Sequence, residues 1–178
     1  MTIPAVSFAG TSSAEEEVVI LCSGDVHGQC EANLGYSGMV AYANEERAQG
    51  KKVFIIDAGD AVSGSVYSAV SRGAYSIEAM NLAGYTAAVP GVKDFDYGVN
   101  RFMNVLANSA DFPNISCNLI YSDDETPVFK PYEIVSSGSK KVAFIGISNP
   151  QTMAQASADF EKKYNFGDDD EGEYLYYL

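Results

Sequence analysis

Two short apolar runs, each ending in a glycine–aspartate turn, constrain this chain more than anything else in it. Val18-Val-Ile-Leu-Cys22 leads into Ser23-Gly24-Asp25, and Val53-Phe-Ile-Ile56 leads into Asp57-Ala58-Gly59-Asp60. Neither run alternates polar with apolar residues, so each reads as a strand buried on both faces, the pattern of a parallel sheet. Between them, residues 38–49 carry Met39, Val40, Tyr42 and Ala43 ahead of Asn44-Glu45-Glu46-Arg47, an amphipathic helix closed by Gly50. Strand, helix and strand with short links make a βαβ unit with a right-handed crossover.

The alternation continues downstream. A helix is predicted over residues 76–82, with Ile77 and Met80 following the helical period. A short strand covers residues 87–89, and a helix over 99–107 carries Phe102, Val105 and Leu106 on one face. Residues 114–119 read as a fourth strand. Residues 128–135 and 142–147, joined by Ser136-Ser-Gly-Ser-Lys140, read as a β-hairpin. The expected fold class is therefore α/β, a mainly parallel sheet plus a hairpin. Residues 1–16 read as a linker or lead segment, 17–150 as the folded part, and 151–178 as an acidic, tyrosine-rich segment. Tyr174, Tyr176 and Tyr177 of that segment suit a strand or helix face.

In parallel sheets the ligand crevice lies beyond the carboxyl ends of the strands. Here Asp25 and His27 follow the first strand, Asp57 and Asp60 the second, and Gly91-Val92-Lys93-Asp94 the third. Three strand ends thus deliver polar residues to one edge. Carboxylate and imidazole together are the donor set of a divalent metal. Asp25 and His27 can face one ion, and Asp60 could join them and bridge to a second about 3.5–4 Å away, an arrangement that clamps a phosphoryl group. The plainer alternative leaves His27 as a loop histidine on the sheet edge, and Asp57 as a turn cap or a partner of Lys93. His27 is the chain's single histidine.

Beyond the edge residues, several motifs fall in a familiar order. Gly24-Asp25-Val26-His27-Gly28, Asp57-Ala58-Gly59-Asp60-Ala61 with Gly64-Ser65, Met80-Asn81-Leu82-Ala83-Gly84-Tyr85 and Phe95-Asp96-Tyr97-Gly98 resemble the 5′-nucleotidase / UDP-sugar hydrolase family of metallophosphoesterases. Phe129-Lys130-Pro131-Tyr132 and Val142-Ala143-Phe144-Ile145-Gly146-Ile147 extend the resemblance, which covers about residues 17–150. It implies a four-layer α-β-β-α sandwich, a divalent metal of the Zn, Mn or Mg type, and cleavage of phosphate from nucleotides and related esters outside the cytoplasm. It assigns Asp25 and His27 to the first metal and Asp60 to both.

One turn departs from the family. Its third turn reads Gly-Asn-His-Glu-Phe-Asp, whereas this chain has Gly91-Val92-Lys93-Asp94-Phe95-Asp96. Val92 offers no donor atom where an Asn ligand is expected. Lys93 replaces the catalytic His, and a lysine stays protonated at neutral pH and shuttles protons poorly. Lys93 and Asp94 are the candidate catalytic residues of this turn, with Asp25, His27 and Asp60 an incomplete metal set. The Lys93 ammonium could also sit beside Asp25 and Asp60, offset their repulsion and leave no ion bound. The family's later histidine loops have no counterpart here. The expectation is an impaired phosphoesterase-like domain serving as a binding or structural module. The alternative is an active enzyme completed by another chain or a further part. A half-built sandwich would leave an apolar face open, which predicts a homo-oligomer or a complementing chain.

Composition narrows the partners. Acidic residues outnumber basic ones 24 to 11, for a formal charge of −13, so nucleic acid and anionic lipid are poor partners. Asp168-Asp169-Asp170-Glu171 lacks the spacing of a calcium loop and reads as a solvated run. Cys22, Cys30 and Cys117 fit no zinc or redox spacing. Cys22 and Cys117 are expected buried in their strands, and Cys30 exposed and able to reach Cys22. No run approaches the ~20 apolar residues of a membrane span. The first residues lack a basic segment and a long apolar one, so no signal peptide is evident; residues 7–17 resemble the linker that follows a removed export signal.

Overall fold

The computed structural model describes residues 17–31, 34–121 and 125–149, and the backbone of Leu175–Tyr177. The lead segment and most of the acidic C-terminal segment lie outside the described residues. The first sheet is β1 (Val18–Ser23), β2 (Lys52–Asp57) and β3 (Ala87–Ala88), parallel and in that order. Helix α1 (Gly35–Ala48) makes the first crossover; α2 (Val66–Ser71) and α3 (Ala74–Ala83) make the second. The registers Ser23↔Asp57 and Asp57↔Ala88 align the carboxyl ends of all three strands. That alignment brings their turns together.

Strand β2 is central, and its side chains split between two cores. Val53 and Ile55 face the helices, in a cluster with Tyr36, Met80, Phe102, Leu106 and Leu119. Phe54 faces the opposite side with Ala87, Ile115 and Phe144, and Ile56 packs against that cluster. Phe144 belongs to the hairpin of β5 (Tyr132–Ser137) and β6 (Lys140–Ile145), and its ring meets Phe54 edge-on at 5.8 Å. The hairpin is the predicted one, with Gly138 at φ 53 in its tight turn. The α/β class, with a parallel sheet and an antiparallel hairpin, is the one expected.

Several local expectations are corrected. Strand β1 is an edge strand and is not buried on both faces: on the face where Val18 packs against the Phe54–Phe144 cluster, Ile20 is 48% exposed and Cys22 is exposed. Cys117 is exposed as well, Cys30 is half-buried, and all three thiols are free. Residues 114–119 are not one strand. Asn114 and Ile115 make isolated parallel bridges to Ala88 and Lys130, and β4 (Leu119–Tyr121) pairs antiparallel with β7 (Leu175–Tyr177). The tyrosine-rich end thus supplies a strand.

Two helical details also differ. Helix α2 has no strong apolar period; it starts on a reciprocal cap, in which Ser65 Oγ accepts from Ser68 N and Ser68 Oγ from Ser65 N. The helical run over 99–109 passes through a π-helical turn, Phe102–Leu106. The wider turn keeps Phe102 and Leu106 on the buried face and swings Val105 out, 40% exposed.

Candidate metal centre

The turns after β1 and β2 continue the parallel pairing beyond the strands. Ala58 N donates to Ser23 O, Asp25 N to Gly59 O, His27 N to Asp60 O and Gly28 N to Ala61 O, all at 2.8–2.9 Å. These bonds satisfy main-chain groups at a buried edge and fix the two loops against each other.

The result brings Asp25, His27 and Asp60 together, with one ligand atom from each lying within 4.8 Å of the others. His27 Nε2 is 3.8 Å from Asp25 Oδ1. All three residues take left-handed backbone, at φ 54, 52 and 60, and they are three of the five such non-glycine residues among those described. A single residue in that region costs about 1 kcal/mol or more, and such strain concentrates at functional sites. Close backbone approach holds it in place. A Cβ on Gly91 would lie 2.5 Å from Asp60 N and Oδ1, and one on Gly64 would lie 2.7 Å from His27 Cβ. The set of two carboxylates and an imidazole, open to solvent at Asp25, fits a divalent ion that keeps several waters.

Around the triad the other acidic side chains are engaged by the protein. Asp57, buried, accepts from Ser23 Oγ at 2.6 Å and from Gly59 N at 2.9 Å, the turn-capping role anticipated for it. Ser23 Oγ also meets Tyr85 Oη at 2.7 Å. Burial pushes the Asp57 carboxyl up to about 7, against the lowering effect of those hydrogen bonds. Asp94 is buried and accepts four main-chain N–H bonds, from Gly91 and Asp60 on Oδ2 and from Ala61 and Val62 on Oδ1. Burial raises its carboxyl to about 6, with those donors opposing.

Asp94 therefore faces inward and ties the third turn to the second; the catalytic role expected for it does not suit that orientation. Lys93 also differs from expectation. Its main-chain N–H donates to Asp60 Oδ1 at 2.6 Å, but its ammonium lies 3.7 Å from Asp96 Oδ2 rather than between Asp25 and Asp60. Asp96 accepts a 2.6 Å bond from Ser63 Oγ. Ser63 and Ser23 were not legible as site residues, since a lone serine carries no periodic or motif signal. Val92 is half-buried in the 3-10 turn Val92–Phe95.

No protein-family profile matches the chain. A snake venom 5′-nucleotidase of Gloydius brevicauda is 30% identical over 153 residues, covering 76% of this chain and 26% of that protein. The 5′-nucleotidase of Rattus norvegicus is 27% identical over 154 residues, covering 76% and 27%. The chain thus spans about a quarter of the length of these curated relatives. Among solved structures, a 5′-nucleotidase precursor from Thermus thermophilus superposes with TM-score 0.67 at 24% identity, over 89% of this chain and 31% of that one. A calcineurin-like phosphoesterase from Bacillus subtilis superposes with TM-score 0.66 at 23% identity, over 89% and 53%.

The fold is that of the calcineurin-like phosphoesterase on which the chain superposes. Within that class the chain belongs to the 5′-nucleotidase family and corresponds to its N-terminal metallophosphoesterase domain.

Proposed function

We propose that this domain binds phosphate monoesters, nucleotides among them, through a divalent ion held by Asp25, His27 and Asp60, and that its hydrolytic step is impaired. The convergence of a ligand atom from each of Asp25, His27 and Asp60, all within 4.8 Å of one another, carries the reading. An ion there would polarise a phosphoryl oxygen and acidify a bound water. His27 and the two carboxylates would orient it, and the laced turns would keep their spacing fixed.

The third turn accounts for the impairment. Val92 has no donor, and Lys93 is protonated at neutral pH, so neither ligates an ion nor exchanges a proton with the leaving group. A binding module follows. The second reading, an active enzyme completed by another chain or part, is favoured by the intact triad and opposed by Val92. The snake venom relatives support a location outside the cytoplasm, and exposed Ile20, Ile145 and Ile147 support association with a second copy or a complementing chain.

The test is a metal-binding and turnover assay on the purified chain. The expected result is Mn²⁺ or Zn²⁺ binding that is lost in Asp60→Ala, with little release of phosphate from a nucleoside monophosphate. Rapid, chelator-sensitive turnover by the chain alone would overturn the impairment, and absence of metal binding would overturn the whole reading.

A further inference from the structure

Resting on that metal-site reading, we infer that this edge holds a single divalent ion and that the Lys93 ammonium supplies the second positive charge against a bound phosphate. The inference comes from the fate of each donor atom. A two-ion centre needs, besides a carboxylate shared between the ions, separate protein ligands for each of them, the ions lying about 3.5–4 Å apart. Asp60 is the one central carboxylate, and its Oδ1 is taken by the Lys93 main-chain N–H at 2.6 Å. That bond belongs to the backbone of the third turn and ties the central carboxylate to it.

The neighbouring carboxylates are engaged by the protein, and none of them joins the triad among the described residues. Asp57 has one oxygen on Ser23 and the other on Gly59 N. Both oxygens of Asp94 are saturated by four N–H donors. Asp96 Oδ2 is held by Ser63 and faces the Lys93 ammonium. Among the described residues, Asp25, His27 and Asp60 are the group able to hold an ion, which gives three protein ligands to one metal.

Charge then calls for a second cation. Two aspartates and an imidazole reduce a divalent ion to a net charge near zero, and the chain as a whole is strongly acidic, at −13 before any ion is counted. A phosphate dianion would meet no attraction from that centre beyond direct coordination. Lys93 is placed to provide it. Its backbone touches Asp60, its side chain is 43% exposed, and its 3.7 Å contact with Asp96 is loose. Asp96 keeps its 2.6 Å bond from Ser63 when the ammonium turns away, so releasing Lys93 leaves no carboxylate stranded. One ion and one ammonium therefore do the electrostatic work of two ions in holding an ester, without the second metal's ability to activate a nucleophile.

The experiment uses the metal-freed full chain, titrated with Mn²⁺ by equilibrium dialysis and followed by electron paramagnetic resonance, then with inorganic phosphate by calorimetry. One ion per chain, a six-line spectrum of an isolated ion, and loss of binding in both His27→Ala and Asp60→Ala are expected. Lys93→Ala should keep one ion and weaken phosphate binding roughly tenfold or more, with Lys93→Arg restoring most of it. Two ions per chain, or an exchange-coupled spectrum, would overturn the single-ion assignment while leaving the metal site itself standing. Unchanged phosphate affinity in Lys93→Ala would overturn the role of the ammonium. A chain that retains no ion removes both this inference and the function it rests on. Circular dichroism of each variant separates loss of binding from loss of fold.

Discussion

Asp60 sits on the second strand-end turn and Asp94 on the third, and a 3.0 Å bond from Asp60 N to Asp94 Oδ2 joins them. Asp60 holds a left-handed backbone and turns a carboxylate oxygen outward, toward Asp25 and His27. Asp94 is buried and spends both oxygens on the main chain of its neighbours. The same side chain joins the candidate metal group in one turn and is wholly taken up by backbone donors in the other. In this chain the third turn keeps its scaffolding half, Gly91 and Asp94, and its outward positions, Val92 and Lys93, carry no metal donor. On the proposed reading, scaffold and reactivity are separable within a single turn of four residues.

The largest expected effect breaks the scaffold side of that contrast. Asp94→Ala would strand four N–H donors in the edge, each costing about 1–3 kcal/mol if water does not reach it. A loss of about 4 kcal/mol or more in urea unfolding is expected, a large share of the ~5–15 kcal/mol typical of a domain. Asp94→Asn keeps one acceptor oxygen and should lose roughly half as much. A loss below ~1 kcal/mol in Asp94→Ala would mean that the turns are held by something else.

A smaller effect sharpens the contrast through pH. Burial lifts Asp57 to about 7 and Asp94 to about 6. An unfolded aspartate titrates near ~3.9, so between about pH 4 and 7 the folded chain holds protons that the unfolded chain has released. Stability contributed by these groups is then greatest at the acid end and is lost as pH rises through the folded values. This is opposite to the trend of an aspartate stabilised by an ion pair. In Asp57→Asn, the decline between pH 4.5 and 7.5 should flatten by on the order of 3 kcal/mol, read from urea midpoints of metal-free protein. A slope identical to that of the parent chain would show that Asp57 titrates as an ordinary carboxyl.

What the sequence made legible follows from range. The apolar runs and their glycine–aspartate ends gave β1, β2 and the placement of Asp25, His27 and Asp60, because short-range pattern and a parallel sheet suffice to bring strand ends together. The hairpin was legible for the same reason. Helix α2 was not, since its start depends on the Ser65–Ser68 cap rather than on apolar period. The exposure of Ile20 and Cys22 was not, because a continuous apolar run does not say whether a strand is central or at an edge. Nor was the division of labour in the third turn. Lys93 beside Asp25 and Asp60 is reasonable on charge alone, yet a main-chain bond claims Asp60 first and the ammonium turns to Asp96. Main-chain donors have no sequence signature.

The smallest effect on stability comes from the double change Val92→Asn with Lys93→His. Val92 is half-buried, and the Lys93–Asp96 pair is partly exposed and long, worth about 0–1 kcal/mol. The double variant should unfold within ~1 kcal/mol of the parent. It would restore a donor at position 92 and a side chain that titrates near neutrality at 93. Turnover of a phosphate monoester in Mn²⁺ should nonetheless stay near the parent level. The bond from residue 93 N to Asp60 Oδ1 is made by the backbone and survives both substitutions, and a second ion would gain only residue 92 beyond the Asp25, His27 and Asp60 group. A gain of roughly tenfold or more in turnover would mean that about 1.4 kcal/mol of transition-state stabilisation is recovered by side chains alone. The backbone bond to Asp60 would then be a contact that yields to a second ion, and the separation between scaffold and reactivity in this turn would be one of two side chains.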